Sequence, residues 1–135
     1  MKTKLCDIPV DEYTTPCPQV LTKGTELLAA MELMQKEGIR HLPIVEGNRA
    51  IGILSERDVK VISNLEWAKK LNVEDIMTES PYTVTPDTSL EKVTYEMSAN
   101  KYGSAIVADD DGSIQGIFTT TDALNALIEI IRGTI

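Results

Sequence analysis

Two stretches of the chain share one pattern: GIRHLPIVEGNRAIGILSERD at residues 38–58 and NKYGSAIVADDDGSIQGIFTTTD at residues 100–122. Each contains two apolar, β-prone runs separated by a short turn rich in Gly, Asn or Asp, and each closes on an aspartate. Turns of this kind between two such runs are typical of β-hairpins. The sequence therefore predicts the same hairpin twice.

The similarity extends to the residues before each hairpin. Pro18 and Pro81 lie 63 residues apart, and Asp58 and Asp122 lie 64 apart because the second turn is one residue longer. An internal repeat of this length constrains the whole fold. We therefore interpret the chain as two copies of one unit.

Each copy begins with a short β-prone segment, at 19–22 and at 82–85, and a helix with apolar residues at helical spacing follows. Thr25 and Thr88 are the predicted N-caps of these two helices. Gly38 is the predicted end of the first helix. Methionines on the apolar faces of these helices are predicted to lie in the core: Met31, Met34 and Met97.

A last helix closes each copy, so the predicted fold class is α/β (α+β) with the order β-α-β-β-α occurring twice. The predicted segments are a polar N-terminal arm at 1–12, the first copy at 13–65, a linker at 66–74 and the second copy at 75–135, with closing helices at 56–65 and 121–131. A copy of this size has too little interior to be stable alone. We therefore expect the two copies to pack about a pseudo-twofold axis.

The composition disfavours several classes of protein. The chain has 135 residues and a net charge of −8, from 21 acidic and 13 basic residues. Such an acidic field repels phosphate backbones and disfavours nucleic-acid binding. The apolar runs are too short to span a bilayer, and no signal peptide is predicted. With two cysteines, Cys6 and Cys17, we expect reduced thiols and a cytoplasmic location.

The ends of the two hairpin stretches have two interpretations. Thr119 and Asp122 have the spacing of a capping box, as do Ser55 and Asp58. In a cap, the hydroxyl accepts from a backbone N–H and the carboxylate lies in the first helical turn. The same helix N-terminus can hold a phosphate, and the aspartate can accept two ribose hydroxyls. From the residues alone, the cap is favoured.

The remaining polar residues do not form a recognisable catalytic set. His41 is the only histidine, and no second metal ligand and no Ser/His/Asp set accompanies it, so we predict no catalytic and no metal-binding residue. A calcium loop starting at Asp109 would need glutamate where Thr120 stands, so the run at 109–112 is predicted to be a hairpin turn. Trp67 is predicted to anchor the linker to the core or to a partner chain.

Together with VEDIMTESPYTVTPDTSLEKVTYEM at 73–97, the two hairpin stretches resemble a tandem pair of cystathionine-β-synthase-type (CBS) domains, or Bateman module. The resemblance covers about residues 13–131, and no catalytic or transport domain accompanies it, so a free-standing member is expected. It implies a regulatory module that binds AMP, ADP, ATP or S-adenosylmethionine and requires no cofactor. It also implies a homodimeric disc and an unidentified regulated protein.

In this family each ligand site joins strands of one copy to the strand-to-helix turn of the other. The resemblance implies a first site, site A, made of Thr15, Pro16, Arg40, His41, Leu42, Thr119, Thr121 and Asp122. It implies a second site, site B, made of Thr78, Thr83, Tyr102, Gly103, Ser104, Ala105, Ser55, Arg57 and Asp58. Arg40 and Arg57 would supply the positive charge that a phosphate needs in an acidic protein.

The alternative is a structural or dimerisation module without a small-molecule ligand, in which Asp58 and Asp122 only cap helices. Arg57 and Thr121 precede these aspartates, so the two sites differ chemically and unequal occupancy is expected. The sequence leaves open which adenosyl ligand binds, whether both sites fill, and whether two modules pair in parallel or antiparallel.

Overall fold

The computed structural model describes residues 7–16 and 19–133 of the chain. Cys6 and Cys17 lie outside these residues, and so does the prediction about their thiols. The chain divides into two compact units, which we call the central unit, residues 19–81, and the terminal unit, residues 1–18 together with 82–135.

The described residues form eight strands, four α-helices and three 3₁₀ turns. In chain order the strands and helices are β1 (Thr15–Pro16), β2 (Leu21–Thr22), α1 (Leu27–Glu37), β3 (His41–Glu46), β4 (Arg49–Ser55), α2 (Glu56–Ser63), β5 (Thr78–Glu79), β6 (Thr83–Val84), α3 (Leu90–Asn100), β7 (Ser104–Ala108), β8 (Ile114–Thr119) and α4 (Thr120–Arg132). The order β-α-β-β-α occurs twice, from β2 to α2 and from β6 to α4, which confirms the predicted α/β (α+β) class. None of these helices, within the described residues, is both long and apolar enough to cross a membrane.

The central unit is built on a sheet with the strand order β2-β3-β4-β5. β2 runs parallel to β3, whereas β3 and β4 form the predicted antiparallel hairpin and β5 is antiparallel to β4 at the edge. Buried residues from α1, β3 and β4 join the helix to the sheet, among them Leu27, Met34, Leu42 and Leu54. The helical spacing of the apolar residues therefore marks the face that packs on the sheet.

The terminal unit repeats this plan with the strand order β1-β8-β7-β6. Its core contains Phe118 and Val93, together with Ile8 and Val10 from the start of the chain. The N–H of Val10 donates to the carbonyl of Thr88 at 2.7 Å. The prediction that residues 1–12 are a polar arm is therefore wrong at Ile8 and Val10, which pack in the core.

Each sheet is completed by an edge strand from the other copy in the sequence. β1 pairs with β8, which places Pro16 opposite Gly116, and β5 pairs with β4, which places Glu79 opposite Gly52. By sequence β1 belongs to the first copy and β5 to the second. The compact units therefore differ from the sequence copies in that the two entrance strands are exchanged.

The N-caps of α1 and α3 lie one residue later than predicted. Glu26 precedes α1 and makes no side-chain capping bond, while Ser89 caps α3 through its hydroxyl. The predicted caps Thr25 and Thr88 are wrong because their hydroxyls bond within the preceding turn. Thr25, for example, donates to the carbonyl of Thr22 at 2.7 Å.

Other predicted features of the helices are found as expected. Gly38 ends α1 in the left-handed conformation, with φ of 67°, and Lys101 takes the corresponding position after α3 with φ of 59°. Met34 and Met97 are buried, and Met31 is partly buried against the core of the central unit.

The linker at 66–74 contains two 3₁₀ turns, Glu66–Lys70 and Val73–Asp75. Ala68 and Val73 are buried, whereas Trp67 is 50% exposed. Ala68 and Val73 therefore fix the linker to the core, and an anchoring of Trp67 to a partner chain stays a prediction.

The acidic run at 109–112 forms the predicted hairpin turn. The N–H of Asp109 donates to the carbonyl of Ser113, and the N–H of Gly112 donates to the carbonyl of Asp109, both at 2.9 Å. A hydrogen bond from the backbone of Ser113 lowers the pKa of the Asp111 carboxyl. The carboxylate of Asp111 thus closes the turn.

Replacing Gly116 with alanine is expected to destabilise the protein by about 1–3 kcal/mol. A Cβ at this position would clash with the carbonyl oxygen of Thr15 and lie 2.7 Å from Cγ2 of Thr14, so β1 would have to move. The free energy of unfolding in urea measures the effect. Gly103→Ala is the matched control, because a Cβ at Gly103 meets nothing within 4 Å. Equal losses in the two variants would contradict the close approach of β1 as the cause.

Candidate functional site

The turn between β8 and α4 is a complete capping box, as predicted. The hydroxyl of Thr119 accepts from the N–H of Asp122 at 3.3 Å. In return, Oδ2 of Asp122 accepts from the N–H of Thr119 at 2.9 Å and from its hydroxyl at 3.1 Å. The box satisfies N–H groups that have no partner within the helix.

The entrance strand adds a further donor to this carboxylate. The hydroxyl of Thr15 lies 3.0 Å from Oδ1 and 3.2 Å from Oδ2 of Asp122. Thr15 reaches this position because β1 pairs with β8, with Thr15 opposite Ile117. Asp122 is only 8% exposed, and a buried carboxylate needs such hydrogen bonds to offset its lost hydration.

The start of β7 lies beside the same turn. Ser104 is the strand partner of Thr119, and the carbonyl of Gly103 accepts from the N–H of Thr120 at 3.3 Å. Thr121 is exposed in the first turn of α4. Within the terminal unit, the structure thus brings residues assigned to site A next to Gly103 and Ser104, which were assigned to site B.

The turn between β4 and α2 has the same sequence spacing and a different geometry. The hydroxyl of Ser55 accepts from the N–H of Asp58 at 3.2 Å, so Ser55 caps the helix as predicted. Asp58 and the neighbouring Arg57 are exposed. No hydrogen bond within the described residues joins Asp58 to Thr78, the counterpart of Thr15 on β5. The carboxylate of Asp58 is therefore open to solvent, unlike that of Asp122.

The start of β3 lies beside this second turn. His41 is the strand partner of Ser55, and the carbonyl of Arg40 accepts from the N–H of Glu56 at 2.8 Å. Arg40 is exposed, His41 is partly buried, and Leu42 is buried. The backbone contacts of His41 and Arg40 with this turn thus correspond to those of Ser104 and Gly103 in the terminal unit.

An aromatic pair supports the start of β7. The rings of Tyr82 and Tyr102 lie 5.2 Å apart between centroids and are tilted by 30°. Burial raises the pKa of Tyr82, and the charge of Glu96 and the neighbouring Tyr102 raise it further. Tyr102 was a predicted site residue and Tyr82 was not, and the contact between their rings has no signal in the sequence spacing.

Three of the other predicted site residues lie on short edge strands, and Ala105 lies on an inner strand. Pro16 of β1, Thr78 of β5 and Thr83 of β6 are exposed, and Ala105 of β7 is buried. Site A and site B each draw residues from both units, and these groupings stay predictions. Within residues 7–16 and 19–133, no three His, Cys, Asp or Glu side chains are grouped so as to hold a metal ion.

The charges near the two turns also differ. Residues 82–135 contain only three basic residues, Lys92, Lys101 and Arg132. The central unit has Arg40 and Arg57 beside its turn. These two basic side chains favour an anion at the turn of the central unit.

Comparison with known proteins identifies the family of this repeated arrangement. A family model described as CBS domain matches residues 10–62 and again residues 73–129. The chain belongs to the CBS domain family. The two matches follow one another along the chain and confirm the resemblance to a tandem CBS pair.

Relatives and solved structures agree with this assignment. MJ1225, an uncharacterised protein of Methanocaldococcus jannaschii, is 28% identical over 127 residues, which is 85% of this chain and 45% of that protein. CBSX2 of Arabidopsis thaliana, solved in complex with AMP, is 27% identical with a TM-score of 0.74, covering 91% of this chain and 98% of that one. The CBS domain pair of MJ0100, in complex with 5′-methylthioadenosine and S-adenosyl-L-methionine, is 25% identical with a TM-score of 0.75, covering 88% and 94%. The chain spans less than half the length of the curated relatives it matches.

The two aspartates are expected to contribute unequally to stability. Asp122→Ala should lower the free energy of unfolding by about 2–3 kcal/mol, because it removes a buried acceptor and leaves Thr15 and Thr119 without their partner. Asp58→Ala should cost less than about 1 kcal/mol, because Asp58 is exposed and Ser55 still caps the helix. Urea unfolding of both variants measures the difference. Similar losses would contradict the unequal burial of the two carboxylates.

Proposed function

We propose that this CBS pair is a non-enzymatic regulatory sensor that binds an adenosine-containing ligand: AMP, ADP, ATP or S-adenosylmethionine. The observation that carries the proposal is the repeated strand-to-helix turn, in which a Ser or Thr hydroxyl and an aspartate three residues later meet at a helix N-terminus. CBS pairs are in general regulatory modules rather than catalytic ones.

The chemistry of the turn suits a nucleotide. Free N–H groups at a helix N-terminus favour a phosphate. The aspartate beside them can accept hydrogen bonds from the two adjacent hydroxyls of a ribose, as an acceptor-only group. The backbone at the start of β3, assigned to site A, and at the start of β7, assigned to site B, offers N–H and carbonyl groups to the edge of a base. We propose sites A and B, as defined above, for these contacts.

The ligands of similar proteins support the choice of adenosyl compounds. CBSX2 was solved with AMP, and the MJ0100 domain pair with 5′-methylthioadenosine and S-adenosyl-L-methionine. AMP, 5′-methylthioadenosine and S-adenosylmethionine share adenine and ribose and differ in the charge of their 5′ group. We therefore propose adenosine as the common recognition element.

The proposed mechanism is a shift between two arrangements of the CBS pair. A ligand can shift such an equilibrium only by binding one arrangement more tightly than the other. The regulated protein would respond to that change, and no resident cofactor takes part. We propose that this regulated protein is a partner that binds the CBS pair and responds to its ligand state.

A ligand panel tests the proposed function. AMP, ADP, ATP and S-adenosylmethionine are expected to include at least one compound that raises the melting temperature, because a ligand that binds only the folded state stabilises it. Isothermal titration calorimetry then gives the affinity of that compound. Replacing both aspartates, as Asp58→Asn with Asp122→Asn, should abolish the binding. Asp110→Asn, in the exposed hairpin turn, is the control and should bind normally. A panel without any stabilising compound would overturn the proposal.

One observation favours a second role, that of a dimerisation module. The side chains of Leu124, Leu127, Ile128 and Ile131 on α4 are between 43% and 73% exposed. Their spacing places them on one stripe of the helix, opposite the face that carries the buried Asp122 and Ala126. An exposed apolar stripe of this kind marks an interaction surface. We propose a homodimer, because two identical stripes can pair about a twofold axis.

Charge on this stripe is expected to prevent the proposed dimer. Leu127→Lys combined with Ile131→Lys would place two like-charged pairs in an apolar interface, so the variant should be monomeric. Light scattering after size-exclusion chromatography measures the mass. Ser113→Lys, which adds a charge in the exposed turn between β7 and β8, is the control and should remain dimeric. A wild-type protein that is monomeric at high concentration would refute the dimer.

A further inference from the structure

The two aspartates offer their oxygens to a ligand in different ways. A carboxylate has about four acceptor positions on its two oxygens. At Asp122, Oδ2 accepts both the N–H and the hydroxyl of Thr119. The hydroxyl of Thr15 has one proton to donate and lies nearer to Oδ1, at 3.0 Å, than to Oδ2, at 3.2 Å. Three of the roughly four acceptor positions of Asp122 are therefore used by the protein, which leaves one position, on Oδ1.

The side-chain oxygens of Asp58, in contrast, accept no hydrogen bond from the described residues. The backbone N–H of Asp58 donates to Ser55. The residue is exposed, whereas Asp122 is buried. All acceptor positions of Asp58 are therefore available to an incoming pair of hydroxyls.

The donors at Asp122 are not held equally firmly. The bonds from Thr119 lie within one helix cap and depend only on residues three apart in the chain. The bond from Thr15 depends on β1, which consists of two exposed residues paired at the edge of the sheet. The donor that a ligand can displace is therefore Thr15.

We infer that the hydroxyl of Thr15 acts as an intramolecular competitor for ribose at Asp122. It takes one of the two acceptor positions that the two adjacent ribose hydroxyls need, so ligand fills the site of Asp58 first. Binding at Asp122 is then linked to the release of β1 from its hydrogen bond. This inference rests on the proposed function and assigns a specific role to a residue within site A.

The inference reverses the effect on ligand affinity that is expected when the hydroxyl of Thr15 is removed. If Thr15 simply contacts the ligand, as its place in site A implies, removal of its hydroxyl weakens binding. If Thr15 competes with the ligand, removal of the hydroxyl strengthens binding. One substitution therefore separates the two roles.

The experiment is calorimetry with AMP in an Asp58→Asn background, which isolates the site of Asp122. Thr15→Val keeps the shape and the β-propensity of the side chain and removes its hydroxyl. We expect it to raise the affinity for AMP about fivefold, since a hydrogen bond to a charged group no longer has to be given up. Thr15→Ser restores the hydroxyl and should return the affinity to that of the background. Thr94→Val removes a hydroxyl that bonds to backbone carbonyls of α3 in the same unit, and should leave the affinity unchanged.

A second measurement needs no substitution at Thr15. Loss of one ribose hydroxyl, in 2′-deoxy-AMP, should weaken binding about tenfold at Asp58, where both hydroxyls are accepted, and less at Asp122. Asp122→Asn and Asp58→Asn isolate the two sites. An unchanged or lower affinity of Thr15→Val, or an equal loss with 2′-deoxy-AMP at both sites, would overturn the inference. If AMP binds and these differences are missing, only the inference fails, whereas wild-type protein that binds no compound of the panel removes the proposed function as well.

Discussion

The close approach of a two-residue strand to a glycine completes each sheet of this CBS pair. At Gly116 the backbone of Thr15 occupies the space of a Cβ, and at Gly52 the side chain of Met77 and the carbonyl of Thr78, 3.0 Å away, do the same. A side chain at Gly116 would push the edge strand off the sheet, and one at Gly52 would displace the side chain of Met77 that precedes the other edge strand. Without these strands, neither Thr15 nor Thr78 would lie beside the turn that follows the glycine. The geometry of both candidate sites thus depends on these two contacts.

The parts of the fold that were predicted correctly depend on local pattern. The hairpins from β3 to β4 and from β7 to β8 are predicted by their turn residues and alternating apolar runs. Gly38 is predicted to end α1 because that position needs a left-handed backbone conformation. Residues whose environment depends on distant parts of the chain were predicted less well. The sequence around Ile8 and Val10 is polar, so it predicts an exposed arm. Only the packing of the terminal unit shows that these two residues are buried.

The candidate site shows the same division between local and distant information. The spacing of Ser55 and Asp58 equals that of Thr119 and Asp122, and both hydroxyls cap a helix as the sequence predicts. The difference in burial of the two aspartates has no local signal, because the hydroxyl that covers Asp122 lies 107 residues away in the chain. Two motifs with the same spacing therefore hold carboxylates that differ in burial, and the pairing of β1 with β8 explains the difference.

The exchange of entrance strands also bears on the order in which the two units fold. The central unit is one continuous segment, so its contacts form without the ends of the chain. The terminal unit must bring residues 7–16 to residues 82–133, which means closing a long loop before those contacts stabilise anything. During synthesis β1 leaves the ribosome before the other strands described here and is thus among the last of them to be placed. We expect the central unit to form first. Its folding shortens the effective separation between the two segments that make up the terminal unit.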